Sequence, residues 1–527
     1  MILGADIGSS ERDAGKARAT LDDLFRRAGV QSPDALALID APNRKSFTDG
    51  APRRLTYAQA DRAISVFAAR LCRLGLQTDA IVAVQLPNTV DNIIALLSIL
   101  RAGMIAVPLP VLWRRHDITA ALRHLGAKAL ITAGRIGTVA HAEIAMQVAA
   151  ELFPIRFICA FGNELPDGVL PLDDIFNDKQ PVTVLRTNRI RQPGAQATDR
   201  AADHLAVVTF DVSAGGLVPM ARNHTQLLAA GRAINLECGV TSNANILSAI
   251  PPSSFAGIAV TLLPWLAGGG ALSLHHGFDP KTFSAQTNGP DQPGTIIIPG
   301  AALAPLAQAG FLGGDDKTVL ALWRSPEQLA VSASTSVLWR GRGAAVDVLS
   351  FGEIGLLPAR RGLDGMPLDI PHGRIGAPRL TGAAMIAETA RSKHGTLLLR
   401  GPMVPGQAFP PVAERSADPH LQADARGFVD TGFTCRPDSA SQSLAVTGPP
   451  GGISSIGGYR FRPSDIDSQV AAADPAATVI ALPGGLLAQR LAGGAADHAS
   501  VGARLKENGA NALISGAFRA RGKANAA

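Results

Sequence analysis

The chain has 527 residues, 46% of them hydrophobic and 17% charged, with 55 glycines. That composition supports a large buried core spread over more than one domain and excludes a disordered or coiled-coil chain. The net charge of +6 is small for this length, and the arginines are scattered with no basic run between aromatics, so no nucleic-acid partner is expected.

Met1 to Thr20 is mixed in character and lacks the apolar core of a signal peptide. Thr56 and Gln59 match a capping box, and Ala60, Ile64, Phe67, Ala68, Leu71 and Leu74 then recur at helical spacing up to Gly75. Ala80 to Leu86 reads as a buried strand. Asn88 is placed to cap a second helix through Leu100, and Met104 to Val107 returns as a strand. Asp117 to His124 is helical and Lys128 to Thr132 is again a strand. Such alternation predicts right-handed crossovers and a parallel sheet covered on both faces.

Asp178 to Arg200 reads as a surface connection. Leu205 to Phe210 is a strand followed by a Gly-rich loop and a helix from about Asn223. Pro437 to Gln442 reads as a polar loop, and Gly448-Pro449-Pro450-Gly451-Gly452 is the expected domain boundary. Two apolar stretches, Ile93 to Trp113 and Asn245 to Leu274, are broken by Pro and Gly and predict no membrane span. Cys72, Cys159, Cys238 and Cys435 form no CxxC pair, which argues against disulfides or zinc and for a reducing, cytoplasmic setting with inert thiols.

The strand into Ser213-Ala214-Gly215-Gly216 is a pattern able to offer backbone N–H groups to phosphate. The matches around it fall in a fixed order. They are Leu55-Thr56-Tyr57, Leu86-Pro87-Asn88, Leu100-Arg101-Ala102-Gly103, Ser213 to Pro219, and Thr261 to Gly270 with Phe278-Asp279-Pro280. Phe351-Gly352-Glu353, Gly395 to Pro402, Asp430-Thr431-Gly432 and Gly458-Tyr459-Arg460-Phe461 with Pro463 and Ile466 follow. In this ordered set the chain resembles the AMP-binding, adenylate-forming superfamily of acyl-CoA synthetase type.

That resemblance implies an α/β fold: a large N-terminal domain, 1–447, of parallel and mixed sheets flanked by helices, and a small mobile α+β C-terminal domain, 448–527, here shortened. It implies Mg-ATP activation of a small-molecule carboxylic acid to acyl-AMP, with transfer to the thiol of CoA or of carrier-protein phosphopantetheine. By the same resemblance the nucleotide falls to Ser213, Gly215, Gly216, Phe351, Gly352, Glu353 and Asp430, the metal to Glu353, and the C-terminal active-site loop to Gly458, Tyr459 and Arg460. The acid, acyl or aryl, is expected to be apolar, with a pocket at Ser253 to Gly270 and Leu349 to Gly352.

The departures matter as much as the matches. The family's loop lysine aligns with Met220, with Arg222 nearby but off register. The Thr and Glu of its central motif align with Ile354 and Gly355, so Glu353 takes the metal only if the loop shifts by two residues. Its ribose Asp aligns with Phe433, with Asp430 as a stand-in from the other side, and its hinge Arg with Pro449. The tail offers Gly522-Lys523 without the family's surrounding pattern. Two readings follow: an acid–thiol ligase, or a catalytically inactive homologue that binds acyl groups, nucleotide or a protein partner in a regulatory role. Outside these motifs, His275-His276 reads as a strand-end pair and Trp265 as core. Asp465 and Asp467 read as helix-start charges, and His224 either lies near the acyl pocket or is a surface residue at a helix start. No Gly-x-Ser-x-Gly elbow is present.

Overall fold

The computed structural model describes residues 19–518 apart from 124, 178–200, 314–316, 333–338, 340, 342, 377–384, 410–420, 439–440 and 484–488. The Asp178 to Arg200 connection and the Gly522-Lys523 pair lie outside the described residues.

The chain builds an α/β body from two large sheets. In the first, Ile81–Gln85, Ile105–Pro108, Ala129–Ala133, Phe157–Phe161 and Leu205–Ser213 run parallel, and Gly216–Asn223 closes one edge antiparallel. In the second, the parallel strands Leu36–Ile39, Leu272–Leu274, Ile246–Ser248, Thr295–Pro299, Thr318–Trp323 and Ala344–Phe351 are edged by antiparallel Arg54–Thr56 and Gly355–Arg360. A third, six-stranded antiparallel sheet takes in Thr396–Arg400, Val429–Asp438 and Ser443–Gly448.

The period of two in the Ile81–Gln85 strand sorts its side chains between layers. Val82 and Val84 join the main core with the helices Tyr57–Arg73, Val90–Arg101, His224–Cys238 and Phe255–Gly268. Ile81 and Ala83 face the opposite way, against Ile118, Ala121 and Val148. The same main core reaches residues of the second sheet, including Leu247, Ile296 and Leu320. Trp265 is fully buried in it, and its indole N–H and the Tyr57 hydroxyl both donate to Gly270 O, at 2.8 and 2.9 Å.

The capping box at Thr56 and Gln59 opens the Tyr57–Arg73 helix as expected. Asn88 does something else. Its amide donates to Ser248 O and His275 O, at 2.9 and 3.1 Å, tying the first sheet to the second. Thr89 is therefore the N-cap of Val90–Arg101, and the Asp40 carboxylate takes the Val90 N–H at 2.8 Å. A remote carboxylate supplies the cap that the local sequence promised from Asn88. The next helix starts at Arg115, two residues ahead of Asp117, because Asp117 accepts from Arg114 N as its third helical residue. The expected polar loop at Pro437 is absorbed in part by the Val429–Asp438 strand.

The apolar stretch from Asn245 to Leu274 is strand, helix and strand, and among the described residues no helix is long and apolar enough to cross a membrane. After Gly452, a hairpin of Ser454–Ile456 and Tyr459–Phe461, the helix Pro463–Ala473, a second hairpin, and the helices His498–Glu507 and Ala512–Gly516 form a small α+β unit. It has its own core of Ile456, Phe461, Ile466, Val470, Leu505 and Phe518.

Candidate functional site

The Ser213 to Gly216 segment is a hairpin rather than a loop leading straight into a helix. Leu205–Ser213 and Gly216–Asn223 pair antiparallel down to Ser213 opposite Gly216, leaving only Ala214 and Gly215 in the turn. Gly216 has φ of +126°, which suits glycine. The Ser213 hydroxyl takes the Gly215 N–H at 3.1 Å and donates to Gly216 O at 3.2 Å. The extra strand forms because its side chains find apolar partners: Met220, at the family's lysine position, is buried with Ile354, Leu421 and Val429. Asn223 then caps the helix beginning at His224.

Beneath this turn lies a charged cluster drawn from distant segments. Asp211 sits in the strand just before the turn, and its carboxylate accepts from Arg460 Nη1 at 2.5 Å and from Glu353 N at 2.8 Å. Arg460 comes from the C-terminal hairpin, and Arg462, between that hairpin and the Pro463–Ala473 helix, donates to Ala214 O at 2.8 Å. Gly352 makes this convergence sterically feasible. Its φ is +59°, and a Cβ there would fall 2.1 Å from Arg460 Nη1 and 2.3 Å from Asp211 Oδ2.

Glu353 is buried below this pair. Its Oε2 accepts from Phe255 N at 2.8 Å, capping the Phe255–Gly268 helix alongside the Ser254 N-cap. Burial pushes its carboxyl up, against the pull of the nearby Arg222. Arg222 is itself fully buried, donates to the carbonyls of Glu353, Ile354 and Met403, and lies 3.6 Å over the Phe255 ring. Burial brings its guanidinium down to about 10.

Two cavities meet at this cluster. One of about 300 Å³ is lined by Asp211, Ser350, Gly352, Glu353, Tyr459 and Arg460 among others. The other, of about 670 Å³, is mainly apolar and is walled by Ile250, Phe278, Phe283, Ile298, Leu306 and Phe311. Pro251, Arg324, Gly457 and Gly458 belong to both walls. A third cavity, of about 770 Å³, lies between the Arg115–Leu122 helix and the C-terminal unit, with Asp117, Tyr459, Arg462 and Asn511 on its wall.

The structure therefore brings Gly352, Glu353, Gly458, Tyr459 and Arg460 to one cavity, with the Ser213–Gly216 turn joined to it through Asp211 and Arg462. Phe351 turns into the core, edge-on to Phe433 at 5.6 Å. Asp430 lines none of these cavities and accepts from Thr396 Oγ1 and Gly432 N, at 2.8 and 2.9 Å. Of the expected pocket segments, Ser253, Ser254, Ala256, Ser350 and Gly352 line the smaller cavity. The apolar wall comes instead from the C-terminal ends of parallel strands and the segments after them, the usual crevice of an open α/β sheet. The Phe255–Gly268 helix is apolar on nearly every side and is consumed by the core.

His275 pairs through Nδ1 with Gln286 Oε1 at 2.7 Å. His276 packs on Phe47 at 4.8 Å, and burial lowers its imidazole to about 4. The described residues contain no group of three or more His, Cys, Asp or Glu able to hold a metal. His224 is indeed at a helix start, but it is buried, its Nδ1 accepting from Leu21 N at 3.3 Å. Asp465 is held by Arg462 at 2.5 Å at the start of the Pro463–Ala473 helix. Sequence reasoning passed over Asp211 and Arg324 as site residues. The available signal for Arg324 was its place directly after the apolar run Val319 to Trp323, at the end of a parallel strand.

A two-sheet α/β body with a small C-terminal α+β unit turned over the strand ends is the architecture of adenylate-forming enzymes. MbtA of Mycobacterium smegmatis, in its apo structure, superposes with a TM-score of 0.64 at 21% identity, covering 97% of this chain and 93% of that one. The artificially fused adenylation–PCP di-domain NpsA-ThdA of Klebsiella oxytoca gives 0.64 at 16% identity, covering 94% and 92%. In sequence, a 2-hydroxy-7-methoxy-5-methyl-1-naphthoate–CoA ligase of Streptomyces carzinostaticus is 24% identical over 491 residues, covering 88% of this chain and 81% of that protein. The AMP-binding enzyme family profile matches residues 25–289. The chain belongs to the AMP-binding enzyme family.

Proposed function

We propose that the chain activates an apolar carboxylic acid, acyl or aryl, as its adenylate and passes the acyl group to a thiol of CoA or a carrier protein. The observation that carries this is the junction of the two cavities. An apolar chamber of about 670 Å³ opens at Pro251, Arg324 and Gly457-Gly458 onto one of about 300 Å³ whose wall carries the charged groups Asp211, Glu353 and Arg460. Such a pair suits an apolar acid whose carboxyl end meets a nucleotide. We assign the nucleotide to the smaller cavity, between Gly352 and the Gly458 to Arg460 segment, beside the Ser213–Gly216 turn. The naphthoate specificity in the name of the Streptomyces relative supports an aryl acid, and the adenylation–PCP di-domain supports a carrier-protein acceptor. A hinge at Gly448 to Gly452 and a cytoplasmic setting complete the reading; the four cysteines are free thiols.

The carboxylates present do not readily fit magnesium. Asp211 is paired with Arg460, and Glu353 caps a helix. A metal would have to displace one of those partners. This commitment, together with the buried Met220, favours the second reading: a homologue that binds without adenylating.

The test is acyl-AMP and pyrophosphate formation by the purified chain with Mg-ATP and a panel of aryl and fatty acids. Acyl-AMP from any member, lost on Gly352→Asp in a folded variant, supports the ligase. Binding of acids without acyl-AMP or pyrophosphate across the panel supports the inactive homologue.

A further inference from the structure

Arg324 stands apart from the other arginines of this region. Arg222 spends its hydrogen bonds on three carbonyls, Arg460 is paired with Asp211, Arg462 with Asp465, and Arg361 with Asp347. Arg324 has no hydrogen bond or ion pair among the described residues, although it is partly buried. Loss of water around it lowers its pKa, and Glu353 opposes this only through its field. A cation withdrawn from water without a partner is costly, and an anion is what offsets it.

Its position says where that anion lies. Arg324 follows the Thr318–Trp323 strand at its C-terminal end and belongs to the walls of both cavities. The stem is held by the C-terminal hairpin: a Cβ on Gly458 would sit 2.8 Å from Arg324 Cβ and Cδ, and Gly458 has φ of +81°. On one side of it the apolar chamber presents the mutually packed rings of Phe278, Phe283 and Phe311, with centroids 5.5 to 6.3 Å apart. Phe278 is 55% exposed, a large apolar surface left open at that wall.

We infer that Arg324 recognises the carboxylate of an apolar organic acid whose body fills the chamber lined by Phe278, Phe283 and Phe311. The guanidinium fork matches a carboxylate in two parallel hydrogen bonds, and the hairpin turn at Gly457-Gly458 roofs the pair. This deepens the function proposed above and rests on it for the identity of the anion as a carboxylate. It makes Arg324 a positioning residue for the acid, and its consequence is measurable by binding without turnover.

The experiment is calorimetric titration of the full chain with 2-naphthoate and decanoate, each beside its neutral primary amide, and with AMP. In the native chain each acid is expected to bind about tenfold or more tightly than its amide, the margin of a charge-assisted pair. Arg324→Gln is expected to abolish that margin while leaving amide affinity within about twofold, and Arg324→Lys to keep part of it. Equal binding of acid and amide by the native chain, or an acid preference that survives Arg324→Gln, overturns the inference. So does a loss of AMP affinity with acid binding intact, which would give Arg324 to a phosphate instead. Acid preference retained with no acyl-AMP formed overturns the ligase function and leaves this site standing. Where Arg324→Gln fails to fold, Arg324→Lys carries the same comparison, and an undiminished acid preference in it overturns the inference.

Discussion

Asp211 and Arg460 are separated by 249 residues and meet at 2.5 Å, joining the strand before the Ser213–Gly216 turn to the C-terminal hairpin. Both side chains are largely withdrawn from water, with 5% and 12% exposed. Arg460 also lies 5.4 Å from the Phe433 ring, and Asp211 holds Glu353 N as well, so the pair locks three segments at once. Ser325 and Ser455, whose hydroxyls are 2.6 Å apart, add a second contact to the same hairpin.

Removing one member leaves the other buried and unpaired. Arg460→Ala should cost about 2 to 4 kcal/mol, and Asp211→Asn combined with it should restore part of that loss, because the two sites share one interaction. Chemical denaturation of the two single variants and the double variant measures the coupling. Hydrogen exchange over residues 454–461 should rise in Arg460→Ala, since the hairpin loses its anchor.

Gly352→Ala tests the close approach directly. The left-handed φ alone costs about 1 kcal/mol for a side chain. The Cβ would also drive Arg460 and Asp211 apart, so the fall in stability should approach that of Arg460→Ala. Thermal unfolding of both variants side by side makes the comparison, and an alanine tolerated without change would contradict this geometry.

Glu353 separates capping from charge. Glu353→Gln keeps an oxygen for Phe255 N and should cost about 1 kcal/mol, whereas Glu353→Ala uncaps the helix, strips Arg222 of its nearby charge and should cost about 3 to 5 kcal/mol. Urea denaturation resolves a difference of that size.

Asp117 gives a pH dependence. Burial raises its carboxyl to about 6, with the Arg114 N–H pulling the other way. A carboxyl raised in the folded state binds its proton more tightly there than in the unfolded chain. Its contribution is therefore complete below the ordinary aspartate value and is lost as pH rises through about 6. Asp117→Asn should remove this loss, gaining about 2 kcal/mol over the native chain at pH 7 and much less at pH 4. Unfolding midpoints of both proteins from pH 4 to 8 check the sign.

Much of the fold could be read from local pattern. The Thr56–Gln59 box, the apolar run Ala80 to Leu86 and the helix start near Asn223 act within a few residues of themselves, so the chain's own order specifies them. The ordered motifs from Leu55 to Ile466 likewise carried the family. What the sequence could not assign was partnership. Met220 looked like a missing charge and proved to be core, Asn88 looked like a cap and proved to be a tie between sheets, and Glu353 looked free for a metal and proved to hold a helix. Each outcome depends on which groups from remote segments arrive to satisfy a buried polar atom or fill an apolar gap. Only the packed tertiary structure decides that, since hydrogen bonds and burial act through space and not along the chain. By the same logic it left Arg324 without a hydrogen-bond or ion-pair partner among the described residues, where neighbouring residues in sequence gave no sign of that.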